Sequence, residues 1–278
     1  MKKIIVAVDG LKVSQTAIRY ATQLARETGG HLVGVFLEDF TYHSYSVYEL
    51  AARPGSSPEL VRQMNEQDKI NRAKAIEAFS DTCCDAGITF SVHHEPNFAL
   101  AELLHESIYA DLLVIDKRET LSHITQDPPT PFIRELLIDV QCPVMAVADG
   151  FKDIEQVTLL YDGEPSSVFA IKMFGYLMPC FGEKPIEVLS VKSQGQNKHL
   201  PDGRLMKEFM KRHFPSAENR VLEGDAETEI VKYLRNKHQN ELVVLGTNRR
   251  NVVSRWFRPS MADVLMRELK TPLFIAHQ

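Results

Sequence analysis

Two Asp-Gly pairs, Asp9-Gly10 and Asp162-Gly163, each close a short apolar run. A carboxylate at the end of a buried strand can cap the next helix or contact a ligand, and the glycine permits a tight turn. From Thr247 to Met261 the chain carries Arg249, Arg250, Arg255 and Arg258, with Trp256 and Phe257 among them and no acidic residue. Arginines so grouped suit an anion such as a phosphate. Interleaved with aromatics they also suit a single nucleic-acid strand, and Trp256 suits a buried docking anchor. Acidic residues gather instead at Asp116 and Glu119, upstream of Thr130. In His93-His94-Glu95 the first and third residues would share a strand face. Two ligands do not close a metal site, so a solvated strand end is expected. The stretch Tyr42-His43-Ser44-Tyr45-Ser46-Val47-Tyr48 offers either an aromatic lid or a packed surface loop. No Ser-His-Asp order, nucleophile elbow or HExxH motif is present, so no catalytic residue and no metal site are expected.

Composition sets the partners in context. Hydrophobic residues make up 44% of the 278 and charged residues 25%, which excludes a disordered tail, a collagen and a membrane bundle. Lys plus Arg total 32 against 37 Asp plus Glu. The net charge of -5 argues against nucleic acid or an anionic membrane as a general partner. The 4 cysteines include the adjacent Cys83 and Cys84 and no CxxC pair, the pattern of reduced thiols in a cytosolic protein. The apolar run Ile4 to Val8 stops at Asp9, short of a secretory signal. No apolar stretch approaches bilayer length, so a cytoplasmic protein is expected.

The elements that must position these residues come in two sets. Lys3 to Gly10 and Val157 to Gly163 open them, each followed by helical periodicity: Ala17, Ile18, Ala21 and Leu24, then Val168, Ile171, Phe174 and Leu177. Short strands follow at His31 to Leu37 and Ile186 to Val191, then at Asp111 to Asp116 and Glu241 to Gly246, then at Cys142 to Val147 and Thr271 to Ala276. These runs are Val-, Ile- and Leu-rich without alternation, as in a parallel sheet buried on both faces. With helices between them, each copy reads as an α/β domain of βαβ units, one over 1–149 and the other over 153–278. The joint lies near Asp149 to Glu155, with Gly150 as its pivot. Asp9 and Asp162 stand 153 positions apart, whereas Pro143 and Pro272 stand only 129 apart. The first copy is therefore longer, and the surplus lies in 38–94. It includes the turn signal Pro54 to Pro58 and a helical pattern from Glu59 to about Ala86.

These segments resemble the universal stress protein family, twice over. KKIIVAVDG looks like that family's first strand, ADLLVI and NELVVLG its fourth, and CPVMAV and TPLFIA its closing strand. The resemblance implies two tandem doubly wound domains, each a five-stranded parallel sheet with helices on both sides. It implies a crevice at the carboxyl ends of the strands. There Asp9 and Asp162 would contact the nucleoside of ATP or AMP, with Gly10, Val35, Gly163 and Val191 beside them.

Nucleotide-binding members also carry a loop written G-2x-G-9x-G-(S/T). Its glycines bring backbone N–H groups to the phosphates at a helix N-terminus. In the second copy these positions are Gly246, Arg249, Pro259 and Ser260. Two of the three glycines are gone, and Arg249 is the candidate replacement donor. In the first copy they are Asp116, Glu119, Pro129 and Thr130, with no glycine left. Like charges about 4 Å apart cost roughly 4 kcal/mol at an effective dielectric near 20. The first copy is therefore expected not to bind ATP in the family manner.

The resemblance further implies pairing through the closing strands, here between Val144 to Val147 and Leu273 to Ile275 of one chain. Such an intrachain pseudo-dimer hides two edge strands and can associate again into a homodimer. The function expected is a cytosolic stress-response protein, a non-catalytic binding or regulatory module with degenerate nucleotide loops and an unidentified protein or small-ligand partner. The alternatives are ATP or AMP binding by the second copy alone, with weak ATPase activity, and an α/β-hydrolase-like enzyme, which lacks a nucleophile here.

Overall fold

Apolar runs that bury both faces need a partner on each side, and the strands find them in one sheet. In the computed structural model the strands are β1 (Lys3–Asp9), β2 (His31–Leu37), β3 (Phe90–His93), β4 (Leu112–Asp116), β5 (Val144–Val147), β6 (Gln156–Leu160), β7 (Ile186–Lys192), β8 (Glu218–Glu223), β9 (Glu241–Thr247) and β10 (Leu273–His277). They form a 10-stranded sheet in the order β3-β2-β1-β4-β5-β10-β9-β6-β7-β8. The structure describes all residues except 39–42, 46–56, 95–97, 196–198, 238–239, 248–259 and 278.

Each half has the doubly wound order about its own first strand: β1 pairs with β2 and β4, and β6 with β7 and β9, all parallel. The halves join where β5 meets β10 antiparallel, with Met145 opposite Phe274. The closing strands thus pair within one chain, and the two five-stranded sheets become one. Odd and even residues of each strand feed opposite core layers. Ile4, Val6, Met145 and Phe274 share one layer; Ile5, Ala7, Val144 and Ile275 share the other. Both layers run unbroken across the β5–β10 joint.

The helices are α1 (Gln15–Thr28), α2 (Pro58–Asp85), α3 (Ala99–Ile108), α4 (Pro131–Asp139), α5 (Pro165–Leu177), α6 (Gly203–His213), α7 (Ala226–Arg235) and α8 (Met261–Glu268). Ser14 caps α1 by accepting from the Ala17 N–H, and Gly29 ends it in the left-handed region. Ala17, Ile18, Ala21 and Leu24 are all buried. On α5 the buried face is Ser166, Ser167, Ala170, Ile171, Phe174 and Leu177. Val168 is only half-buried, because the face that meets β9 is made of the two small serines. The surplus of the first half is chiefly α2, a 28-residue helix where the second half has the 11-residue α6.

Side chains of both halves hold the joint, and one reaches from the first half into the second. The Tyr20 hydroxyl donates to the Lys152 carbonyl at 2.9 Å, and its ring packs on Phe151. Lys184 Nζ donates to the Ile154 carbonyl. Lys117, just past β4, is buried and reaches across to the carbonyls of Met266 and Leu269 at the C-terminal end of α8. That is where a helix dipole favours a cation. Burial nonetheless pulls the Lys117 pKa down to about 8. Among the described residues no helix is long and apolar enough to cross a membrane.

Candidate functional site

Each half has a crevice at the carboxyl ends of its strands, between the first and fourth. In the first half Asp9 ends β1 and Asp116 ends β4. Asp9 Oδ1 accepts from the Leu11 N–H at 2.7 Å, and Asp162 Oδ1 accepts from the Glu164 N–H at 2.9 Å. Both aspartates therefore make the same strand-to-helix turn. Their exposure differs: Asp9 is 1% exposed, whereas Asp162 is open to solvent.

In the first crevice the described polar side chains find partners within their own chain. Asp116 accepts from the Ser14 hydroxyl at 2.8 Å and from the Arg118 backbone and guanidinium. Burial would raise the Asp116 pKa, but these donors outweigh it and the net shift is downward. Glu119 accepts from the Thr120 and Leu121 N–H groups, both at 2.9 Å. Its burial, with the charge of Asp9 nearby, pushes its pKa up to about 7. The Thr130 hydroxyl is fully buried; it donates to the Glu119 carbonyl and accepts from the Ile133 N–H as the cap of α4. Arg118 thus compensates the Asp116 charge, so the repulsion expected there is smaller than the bare carboxylate implied. The uncompensated acid is Glu119.

The surplus helix adds a plug. Arg72 of α2 lies against Gly10, where an added Cβ would sit 2.9 Å from the Arg72 Cγ. Its guanidinium pairs with Glu38 at the end of β2, and Glu38 also accepts from His94 at 2.8 Å. One turn earlier, buried Asp68 accepts from the Ser44 N–H. Val35 is buried in the sheet core. His93 pairs with Glu106 rather than with His94's partner, so the two histidines serve separate contacts; Glu95 lies outside the described residues. Among the described residues no cluster of three or more potential metal ligands occurs. Of the tyrosine-rich stretch, His43 stacks on Tyr45, and Tyr42 and Tyr48 lie outside the described residues.

The second crevice holds a cavity of about 150 Å³ lined by Asp162, Ser167, Val191, Ile230, Gly246 and Met261 among others. Ends of β6, β7 and β9 line it, together with Ser167, Ala226 and Met261 from the first turns of α5, α7 and α8. Helix N-termini carry unsatisfied N–H groups and partial positive charge. Gly163 has φ 93°, and Pro201 closes over it, held by the Tyr161 hydroxyl on the Pro201 carbonyl at 3.1 Å. Gly246 has a packing reason as well: a Cβ there would fall 2.1 Å from the Ser166 carbonyl oxygen. Ser260 caps α8 in a reciprocal box with Asp263. Arg249, with Arg250, Arg255, Trp256, Phe257, Arg258 and Pro259, lies outside the described residues.

A family model described as the universal stress protein family matches residues 1–148. The chain belongs to the universal stress protein family. Comparison with curated proteins finds no significant match. Among solved structures, a universal stress protein from Archaeoglobus fulgidus DSM 4304 is similar at TM-score 0.68 and 14% identity, covering 99% of this chain and 98% of that one. A functionally unknown protein from Pseudomonas aeruginosa PAO1 is similar at TM-score 0.64 and 13% identity, covering 100% and 92%. At such identities the likeness is one of fold, and it spans both halves of this universal stress protein. The sequence pointed to Asp9, Asp162 and Gly246 but missed Arg72, Asp68 and Ser14. Arg72 and Asp68 stand four apart on a predicted helix, a spacing that places both on one face.

Proposed function

We propose that this universal stress protein is a non-catalytic binding module of the cytosol with one nucleotide site per chain. Residues 1–149 and 153–278 are its two units, and only the second binds. The observation that carries this reading is the contrast between the crevices: a cavity opens beside Asp162, Val191 and Gly246, while Arg72 covers Gly10 and Glu119 stands buried beside Asp9. The cavity is small beside the about 300–1,000 Å³ typical of ligand pockets. It takes a base-sized ring and leaves ribose and phosphate at the mouth. Ser167, Ala226 and Met261, each in the first turn of a helix, line the cavity, and Arg249 with Ser260 is the proposed phosphate donor. The ligand is accordingly AMP or ATP. Stress-response function would then consist of a nucleotide-dependent change in what a partner protein meets. The closing strands are already paired within the chain, so a homodimer would use another surface.

Calorimetric titration with AMP, and with ATP plus Mg²⁺, tests the reading. Wild type should bind saturably, Val191→Phe should fill the cavity and abolish binding, and Arg249→Ala should weaken ATP more than AMP. Unchanged affinity in Val191→Phe would sink the assignment of the second crevice.

A further inference from the structure

The unequal helices that follow the second strands leave unequal surroundings. In the first half α2 covers the edge strand β3, and Phe79 fills the space between them. Its ring meets Phe36 and Phe90 edge-on and is 1% exposed. In the second half the shorter α6 lies beside the edge strand β8 without such a plug. Between them runs a groove of about 660 Å³. That volume is within the range of small-molecule sites.

The groove has two chemistries. Its floor is apolar: Met206 and Met210, one turn apart on α6, with Phe214 beyond, all buried, and Val221 of β8 opposite. Methionine floors adapt to ligands of varied shape. Its rim is cationic: Lys207 and Lys211, again one turn apart, with His199 across the opening. No acidic residue lines the groove, although the chain as a whole is acidic. Among the described residues neither Lys207 nor Lys211 enters an ion pair. Two exposed lysines on one helix face repel each other mildly, and an anion between them relieves that.

The geometry points to a second ligand site, in which the groove between α6 and β8 binds a free amphipathic carboxylate. The apolar chain lies on Met206 and Met210, and the carboxylate meets Lys207 and Lys211. The site is separate from the crevice: its lining shares no residue with the cavity beside Asp162.

Decanoate is the probe, and the methyl resonances of carbon-13-labelled methionine are the readout, assigned through Met206→Leu and Met210→Leu. Decanoate should shift both methyl resonances saturably, with or without AMP. Decanol and decyltrimethylammonium should bind at least tenfold more weakly. Lys207→Glu/Lys211→Glu should weaken decanoate at least tenfold, and Lys207→Gln/Lys211→Gln should fall between. Circular dichroism checks that the exposed substitutions leave the fold intact. Equal binding of the three amphiphiles, or no effect of the double charge reversal, would overturn the proposal. So would sedimentation of the protein with phosphatidylglycerol vesicles that the charge reversal abolishes, because the occupant would then be a membrane.

Discussion

At the scale of single residues the two crevices diverge by which groups their own chain supplies. Glu119 is the sharpest case. Its folded pKa of about 7 lies above the ordinary glutamate value because burial and Asp9 disfavour its charge. The folded state therefore holds that proton more tightly than the unfolded chain. Its contribution to stability is full below about pH 4.5 and is lost as the pH rises through 7. Glu119→Gln removes the penalty while keeping an acceptor for the Thr120 and Leu121 N–H groups. Chemical denaturation should find the variant more stable than wild type by about 3 kcal/mol at pH 8, with the gap closing toward pH 4.5. A gap independent of pH would show that Glu119 is not the titrating group. The turn aspartates were legible in sequence because Asp-Gly after an apolar run has few other uses. Arg72 was not, since one arginine in a polar helix carries no mark of the glycine it will meet.

At the scale of elements, the central strands were readable because a strand buried on both faces must be a run of Val, Ile and Leu. The edge strand β8 was not, because its residues are half-exposed or exposed and include Glu218, Arg220 and Glu223. Such charges protect an edge from pairing with another chain. The place of Gly246 belongs at this scale. The family loop explains it by phosphate contact, whereas the structure gives it a second cause: α5 packs so close to β9 that no side chain fits. Gly246→Ala should therefore cost about 3 kcal/mol even without nucleotide, through backbone displacement. Thermal unfolding of the ligand-free protein checks this. A loss seen only with nucleotide present would return Gly246 to a purely ligand-binding role. The surplus of 38–94 was likewise locatable by spacing alone, but its effect depended on where α2 comes to rest.

At the scale of the molecule, the two copies share one sheet and two continuous core layers. Lys117 adds a polar tie across the halves, and Tyr20 and Lys184 hold the joint from either side. Unfolding should then be a single cooperative transition, with calorimetric and van't Hoff enthalpies equal. Two resolved transitions would mean that the β5–β10 joint is weaker than its burial implies. The repeated units followed from the sequence and the closing-strand pairing from the family resemblance; that Arg72 would lie on Gly10 while a cavity stands beside Asp162 did not. That asymmetry is the central claim, and counting bound nucleotide tests it most directly. Native mass spectrometry of the protein saturated with AMP should show one AMP per chain, and none in Val191→Phe. Two per chain, or one that survives Val191→Phe, would contradict it.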